Sequence, residues 1–418
     1  MPIDVRRFVR DQIVPIVSVV AALATCLLVP PDAGYAGYVD WGTLGRLACM
    51  LAVVGALREA GLFQMLAVRL VARCRTMRGL AAVLVGVTAF ASMFVTNDMA
   101  LVALLPLAAA SLLEAGRRDL IAPVFVLQGL AANLCGMILP FGNPQNIYLS
   151  DCYAVGFGAF VQTMALPFAV SVALIALCCV ALVRSDRVAR VDGEAAGGAA
   201  AAAQIASLPA GRLAVLAVLF AVCVAAVLGA VPVPVALAVV VAGLLFADRR
   251  VFARTDWGLL VTFAAFFVFS GNLARIDAVS EAFAGWLAGG AFVPGALLSQ
   301  VISNVPAAVV LSRFTGDWQG LLAGVNVGGA GTPVASLATL IVVTQFQALA
   351  RTVPAAPSAP AEAGGGMGAR GAEAVDASEA SVQLRSGRLN TGRFMGLLCG
   401  LNMAFLVLLL VAGLVLGW

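Results

Sequence analysis

Apolar residues run through this chain in long blocks, and polar residues fall between the blocks or, at four places, inside them. Uninterrupted blocks lie near 12–30, 42–60, 160–183, 212–231, 233–248, 257–275 and 392–418. Each suits a helix crossing roughly 30 Å of hydrocarbon. Two longer blocks, 120–149 and 320–350, are interrupted by Pro and Gly. As one straight helix the first would measure about 45 Å at 1.5 Å per residue, half again too long, so it should unwind near 140–144. Two further stretches, 79–113 and about 288–316, carry polar tips in their middles. From Val305 to Thr315 is a rise of roughly 17 Å, well short of a bilayer, so both stretches are expected to be re-entrant hairpins. The pattern predicts an all-α polytopic membrane protein of about nine spans plus two hairpins.

The pattern also repeats. "VDWGTL" at 39–44 returns as "TDWGLL" at 255–260, each opening an apolar helix. An interrupted pair follows each, around Asn97 and around Asn304. Next, "NLCGMILPFGNPQN" at 133–146 aligns without a gap on "NVGGAGTPVASLAT" at 326–339, placing Asn133 on Asn326, Gly136 on Gly329 and Pro140 on Pro333. The first Asp-Trp helix is expected to start outside and the second inside, which makes an inverted-topology repeat, the plan of many secondary transporters. The first repeat covers 1–192 and the second 212–350, with its last helix at 391–418. Residues 193–211 and 351–390, rich in Ala, Gly and Pro, read as flexible cytoplasmic linkers. Segment 62–78 has the spacing of an interfacial amphipathic helix.

Composition agrees with the class: 62% hydrophobic residues against 11% charged is a membrane composition. The net charge of +4 is then a topology signal and implies no nucleic-acid partner. Every basic residue is Arg, and threading from a cytoplasmic N-terminus leaves only Arg46, Arg275 and Arg313 outside the positive-inside rule. That thread puts Trp418 on the outer face, in a bacterial inner membrane. The run after Arg6, Arg7 and Arg10 lacks a convincing cleavage site and is read as the first span. The nine cysteines are scattered through apolar segments and suggest neither a metal cluster nor a disulfide framework.

Non-helical backbone at membrane depth is tolerated where it lines a cavity or is buried in protein. The two tips, Thr96-Asn97-Asp98 and Ser303-Asn304, and the two unwound segments, Gly142-Asn143 with Asn146 and Gly328 to Pro333 with Thr332, therefore point to one central site. Free carbonyls there suit a small cation, and half-helix N-termini suit an anion. Asn97, Asn143, Asn304, Ser336 and Thr339 add side-chain oxygens and amides. Asp98 reads as a proton or cation carrier. No His, no HExxH motif and no paired catalytic carboxylates within a span support an enzyme. A passive channel fits discontinuous repeats less well than a carrier. A cation/proton antiporter using Asp98 is the alternative.

These motifs resemble the ion-transporter superfamily that contains citrate carriers, divalent-anion/sodium symporters, arsenite permeases and some sodium/proton antiporters. The resemblance covers nearly the whole chain. It implies alternating-access transport of a small anion, an arsenite-like oxyanion or a carboxylate, coupled to Na+ or H+, with no other cofactor. It also implies a homodimer built on a scaffold domain. Carried over by position, one Na+ site would involve Asn97 and the backbone at Gly142-Asn143. The other would involve Ser303, Asn304 and the backbone at Gly329-Ala330. The first tip, with Asn-Asp, is closer to the arsenite-permease pattern.

Overall fold

The structure is a computed structural model that describes residues 13–187, 210–353 and 389–418. The expected linkers lie almost wholly outside the described residues. Among those residues there are seventeen α-helices and no β-strand.

The chain begins with α1 (Ile13–Leu28), α2 (Trp41–Glu59) and α3 (Leu62–Val71). A helix-turn-helix hairpin follows, α4 (Met77–Phe94) and α5 (Asn97–Glu114), then a broken helix, α6 (Ile121–Cys135) and α7 (Pro144–Cys152), and then α8 (Phe157–Leu182). After α9 (Ala210–Val227) the order recurs. It runs α10 (Val233–Asp248), α11 (Trp257–Leu273), α12 (Asp277–Leu287), the hairpin α13 (Phe292–Ile302) and α14 (Asn304–Leu311). The second broken helix is α15 (Trp318–Gly328) and α16 (Leu337–Thr352), and α17 (Thr391–Leu416) ends the series. Like α8, α17 is 26 residues long.

The repeated Asp-Trp has a local cause. Asp40 caps α2 by accepting from the Thr43 N–H, and Asp256 caps α11 by accepting from the Leu259 N–H. Two contacts fix how these helices run. Arg254, just before α11, donates to Glu59 at the end of α2 over 2.7 Å. Arg275, just after α11, donates to the Tyr38 hydroxyl, just before α2, over 3.1 Å. Each helix thus ends where the other begins, so α2 and α11 are antiparallel. The helices preceding them cross over: α1 packs on α11, and α10 packs on α2.

The second layer surrounds α6, which packs against α4, α5, α8, α16 and α17. Its Val124, Phe125, Val126, Leu127 and Leu130 are all buried. Phe346 of α16 stacks on Phe394 of α17 with ring centroids 3.8 Å apart. Large apolar side chains such as Leu27, Leu177, Phe246 and Val415 point outward, the dress of a surface that meets lipid rather than water.

The structure adjusts three expectations. Among the described residues, six helices are long and apolar enough to cross a membrane, seven if the bent pair α11–α12 counts as one span. The expected span 233–248 appears in α10 as a helix of 16 residues, about 24 Å long, and the described part of the expected span 12–30 is helical over Ile13–Leu28. Secondly, the hairpins differ. The arms of the second have 11 and 8 residues, short of a bilayer as expected, whereas α4 and α5 have 18 each, enough to reach most of the way across. The short arms that hold the second hairpin to half depth have no counterpart in the first. Thirdly, α12 turns 98° from α11 and occupies the place that α3 holds after α2. Its sequence, "DAVSEAFAGWL", has amphipathic spacing.

Candidate functional site

Both tips are turned by the same device. Asn97 Oδ1 accepts from the Asp98 N–H over 2.9 Å, and Asn304 Oδ1 accepts from the Val305 N–H over 2.9 Å. Each asparagine therefore uses its oxygen to begin its own helix, which leaves the amide NH2 as the group available to a ligand. Ser303 pays no heed to the usual backbone limits: its φ is +76° and its ψ 154°, a region that side chains other than glycine rarely adopt. The Asn304 N–H and the Ser303 hydroxyl both donate to the Ala335 carbonyl, at 3.0 and 3.3 Å, and so tie this tip to the second broken helix.

The first helix breaks across 139–143, where the sequence placed it, and Pro144 opens α7 at the position where a missing N–H costs least. Gly142 acts for a different reason from the expected one. Its φ is not positive. Instead, any Cβ there would overlap the Gly136 carbonyl oxygen, so the turn is closed by backbone meeting backbone. The second break spans 329–336, with Gly331 at φ +130°.

The two breaks clasp each other reciprocally. Asn326 Nδ2 donates to Asn146 Oδ1 at 2.7 Å, while Gln145 Nε2 and Asn143 Nδ2 donate to Asn326 Oδ1 at 3.1 and 3.3 Å. In the other direction the Ser336 hydroxyl donates to Asn133 Oδ1 at 3.3 Å. The ungapped alignment pairs Asn133 with Asn326 and Asn143 with Ser336, so these are the same contact made twice. All of these side chains are buried. Asn133 Nδ2, Asn143 Oδ1 and Asp98 Oδ1 are buried without a hydrogen-bond partner.

Not every break carbonyl is open to a cation. Asn146 Nδ2 donates to the carbonyls of Met137 and Leu139 at 3.3 and 3.1 Å. Gln300 Nε2 donates to those of Gly328 and Ala330 at 2.7 and 3.4 Å, while its Oε1 accepts from the Thr332 N–H at 2.9 Å. Asn146 and Gln300 are therefore pins for the unwound backbone. The sequence reading missed Gln300, though an amide inside the short apolar arm "ALLSQVIS" is a signal of its own.

These elements border one cavity of about 440 Å³. Asn97 and Asp98, Ser303 and Asn304, Pro144 and Gln145, and Ser336 and Leu337 line it, so both tips, the second break and the start of α7 beside the first break contribute. The far wall comes from α1 (Val14 to Ala21) and α11 (Asp256 to Phe269). Among the described residues, two carboxylates, Asp98 and Asp256, lie in the wall, and no arginine does. Of the expected site residues, Thr96, Gly142, Asn143, Asn146, Gly329, Ala330 and Thr332 do not line it. Gly329 and Ala330 border a separate gap of about 10 Å³ with Asn133, Thr339 and Asn402, room for about one water.

The tips can be tested directly. Asn97→Ala and Asn304→Ala remove the amide and the turn-starting oxygen together, and each should lower flux more than about tenfold while size-exclusion chromatography shows intact assembly. Wild-type flux in both variants would remove the tips from the site.

Comparison with known proteins gives a consistent result. The family model described as citrate transporter matches residues 9–316. The Escherichia coli inner membrane protein YbiR is 30% identical over 316 residues, covering 72% of this chain and 79% of the relative. An uncharacterized transporter of Methanocaldococcus jannaschii is 27% identical over 306 residues, covering 72% and 80%. A silicon efflux transporter of rice is 34% identical over 136 residues, which is 32% of this chain and 27% of that one.

Proposed function

The chain belongs to the citrate transporter family, and from that premise we propose that it is a secondary carrier that moves a small oxyacid or its anion by alternating access, coupled to H+ or Na+. The observation that carries the reading is the single cavity to which both tips, the second break and the start of α7 contribute. Amides and hydroxyls from four broken elements suit a compact solute rich in oxygen. The charges of the wall narrow the class. With Asp98 and Asp256 in the wall and no arginine among its described residues, a multiply charged anion would meet repulsion unless cations accompanied it. A weakly acidic solute carried with little net charge fits better than a free tricarboxylate. The rice relative, a silicon efflux transporter by name, is compatible with that class.

One observation favours a second reading. Asp98 Oδ1 is buried without a partner, the state of a group that exchanges a proton for a cation, and such exchange needs no anion. Flux into proteoliposomes separates the two. Arsenite, citrate, succinate and sulfate, each with and without sodium, are offered while the internal pH is followed. Uptake of one of them above the empty-vesicle background is the expected result. Proton release driven by sodium alone, indifferent to every anion, would replace the carrier reading with the exchanger.

A further inference from the structure

The two halves of the molecule differ at one pair of matching contacts. In the first half, α7 is fastened to α2. Arg46 of α2 forms a largely buried ion pair with Asp151 of α7. The Thr43 hydroxyl lies 2.6 Å from Asp40 Oδ2 and 3.0 Å from Asp151 Oδ2. Arg46 Nε donates to the Ala226 carbonyl of α9 at 3.0 Å, so the guanidinium is held from the scaffold side as well. Two tyrosines fasten the same end of α7 to the second hairpin. The Tyr148 hydroxyl lies 2.7 Å from that of Ser312, and the Tyr153 hydroxyl donates to the Thr315 carbonyl at 2.8 Å.

In the second half, the corresponding helices are α11 and α16, and there the cavity opens between them. The Asp-Trp motifs align Arg46 with Thr262, and the broken helices align Asp151 with Thr344. Two threonines replace the ion pair. Neither can hold the other by charge, and Thr262 lines the cavity.

We propose that Arg46 and Asp151 are the latch of the gate on that side: the pair holds α7 against α2 while the cavity stands open beside α11, and it breaks when the carrier turns to its other state. This rests on the alternating-access reading. The helix α7 is a stiff rod of nine residues, about 13 Å long. Pro144 and Gln145 at one end lie in the cavity wall, and Asp151 at the other end lies in the latch. A shift of the rod at the site therefore reaches the ion pair directly. The asymmetry of charge also sets a preference between the two end states, because only one of them gains an ion pair.

The test reads exposure of the latch without any substrate. Thr43→Cys, buried beside Asp151, serves as reporter in a Cys152→Ser background, with a membrane-impermeant thiol reagent applied to each face. Labelling from the face nearer α7's C-terminus should be slow with the native pair. Asp151→Asn should raise it about tenfold, the shift expected from losing one charge-assisted contact, and the exchange Arg46→Asp with Asp151→Arg should restore the slow rate. An unchanged rate in Asp151→Asn would overturn the latch, and so would a fast rate that the exchange fails to slow. Should Asp151→Asn not assemble, Arg46→Gln, which breaks the same pair from its other side, decides in the same assay, with a rise of about tenfold expected and no change overturning the proposal. Because labelling needs no transported solute, an unresponsive latch leaves the carrier reading to the flux assay. A responsive latch without any flux would do the reverse.

Discussion

Gly142→Val is expected to abolish transport at every pH. Overpacking inside a protein costs about 1–3 kcal/mol when flexible side chains can yield. Here the first atom that an added Cβ meets is the Gly136 carbonyl oxygen, with the Ser92 carbonyl oxygen 3.3 Å away, and both are backbone. Nothing there can rotate aside. The turn must open, and with it go the start of α7 and the clasp of Gln145 and Asn146 on Asn326. Even Gly142→Ala should lower flux by at least about tenfold on the same argument. Gly86→Ala is the control, since no atom lies within 4 Å of a Cβ at that position of α4. Flux in proteoliposomes, with thermal unfolding to monitor the fold, gives the comparison. Normal transport by Gly142→Val would show that the carbonyl contact is not required.

Asp98→Asn should flatten the pH profile of flux without destroying the site. Asparagine keeps the shape of the side chain and removes its titration. The native carboxyl has one oxygen buried without a hydrogen-bond partner, and Asp256 borders the same cavity. A negative charge so placed must be neutralised by a proton or a cation. The two then compete, so cation-driven flux should rise with pH in the native protein and lose that slope in the variant. Initial rates across a pH series, with the same sodium gradient throughout, make the measurement. An unchanged profile would relieve Asp98 of any coupling role.

The class and the positions of all four breaks were legible in the sequence because each rests on a strong local signal, whereas α12 was not. Prolines and glycines inside apolar blocks mark 139–143 and 329–336, and Asp-Trp marks the caps of α2 and α11. Length was legible only where an arm is conspicuously short, which is why the second hairpin matched and the first proved longer. The site was half legible. Of the expected site residues, Asn97, Asp98, Ser303, Asn304 and Ser336 line the cavity. Which carbonyls are already engaged depends on side chains arriving from elsewhere, such as Gln300 from α13, and no local pattern shows that. The ion pair of Arg46 with Asp151 joins residues 105 apart in sequence, and the positive-inside rule could mark Arg46 only as an exception.

Ser303 has a mechanical consequence. A side chain held at its φ costs about 1–3 kcal/mol, and the two bonds to Ala335 help to hold it there. Separating the tip from the second break would release that energy but forfeit both bonds, together with those that Gln300 makes a turn away. The hairpin α13–α14 and residues 329–336 are thus riveted at two points, and two rivets forbid rotation where one would permit it. In the carrier cycle proposed above, these two segments are therefore expected to move together, with the hinge outside them.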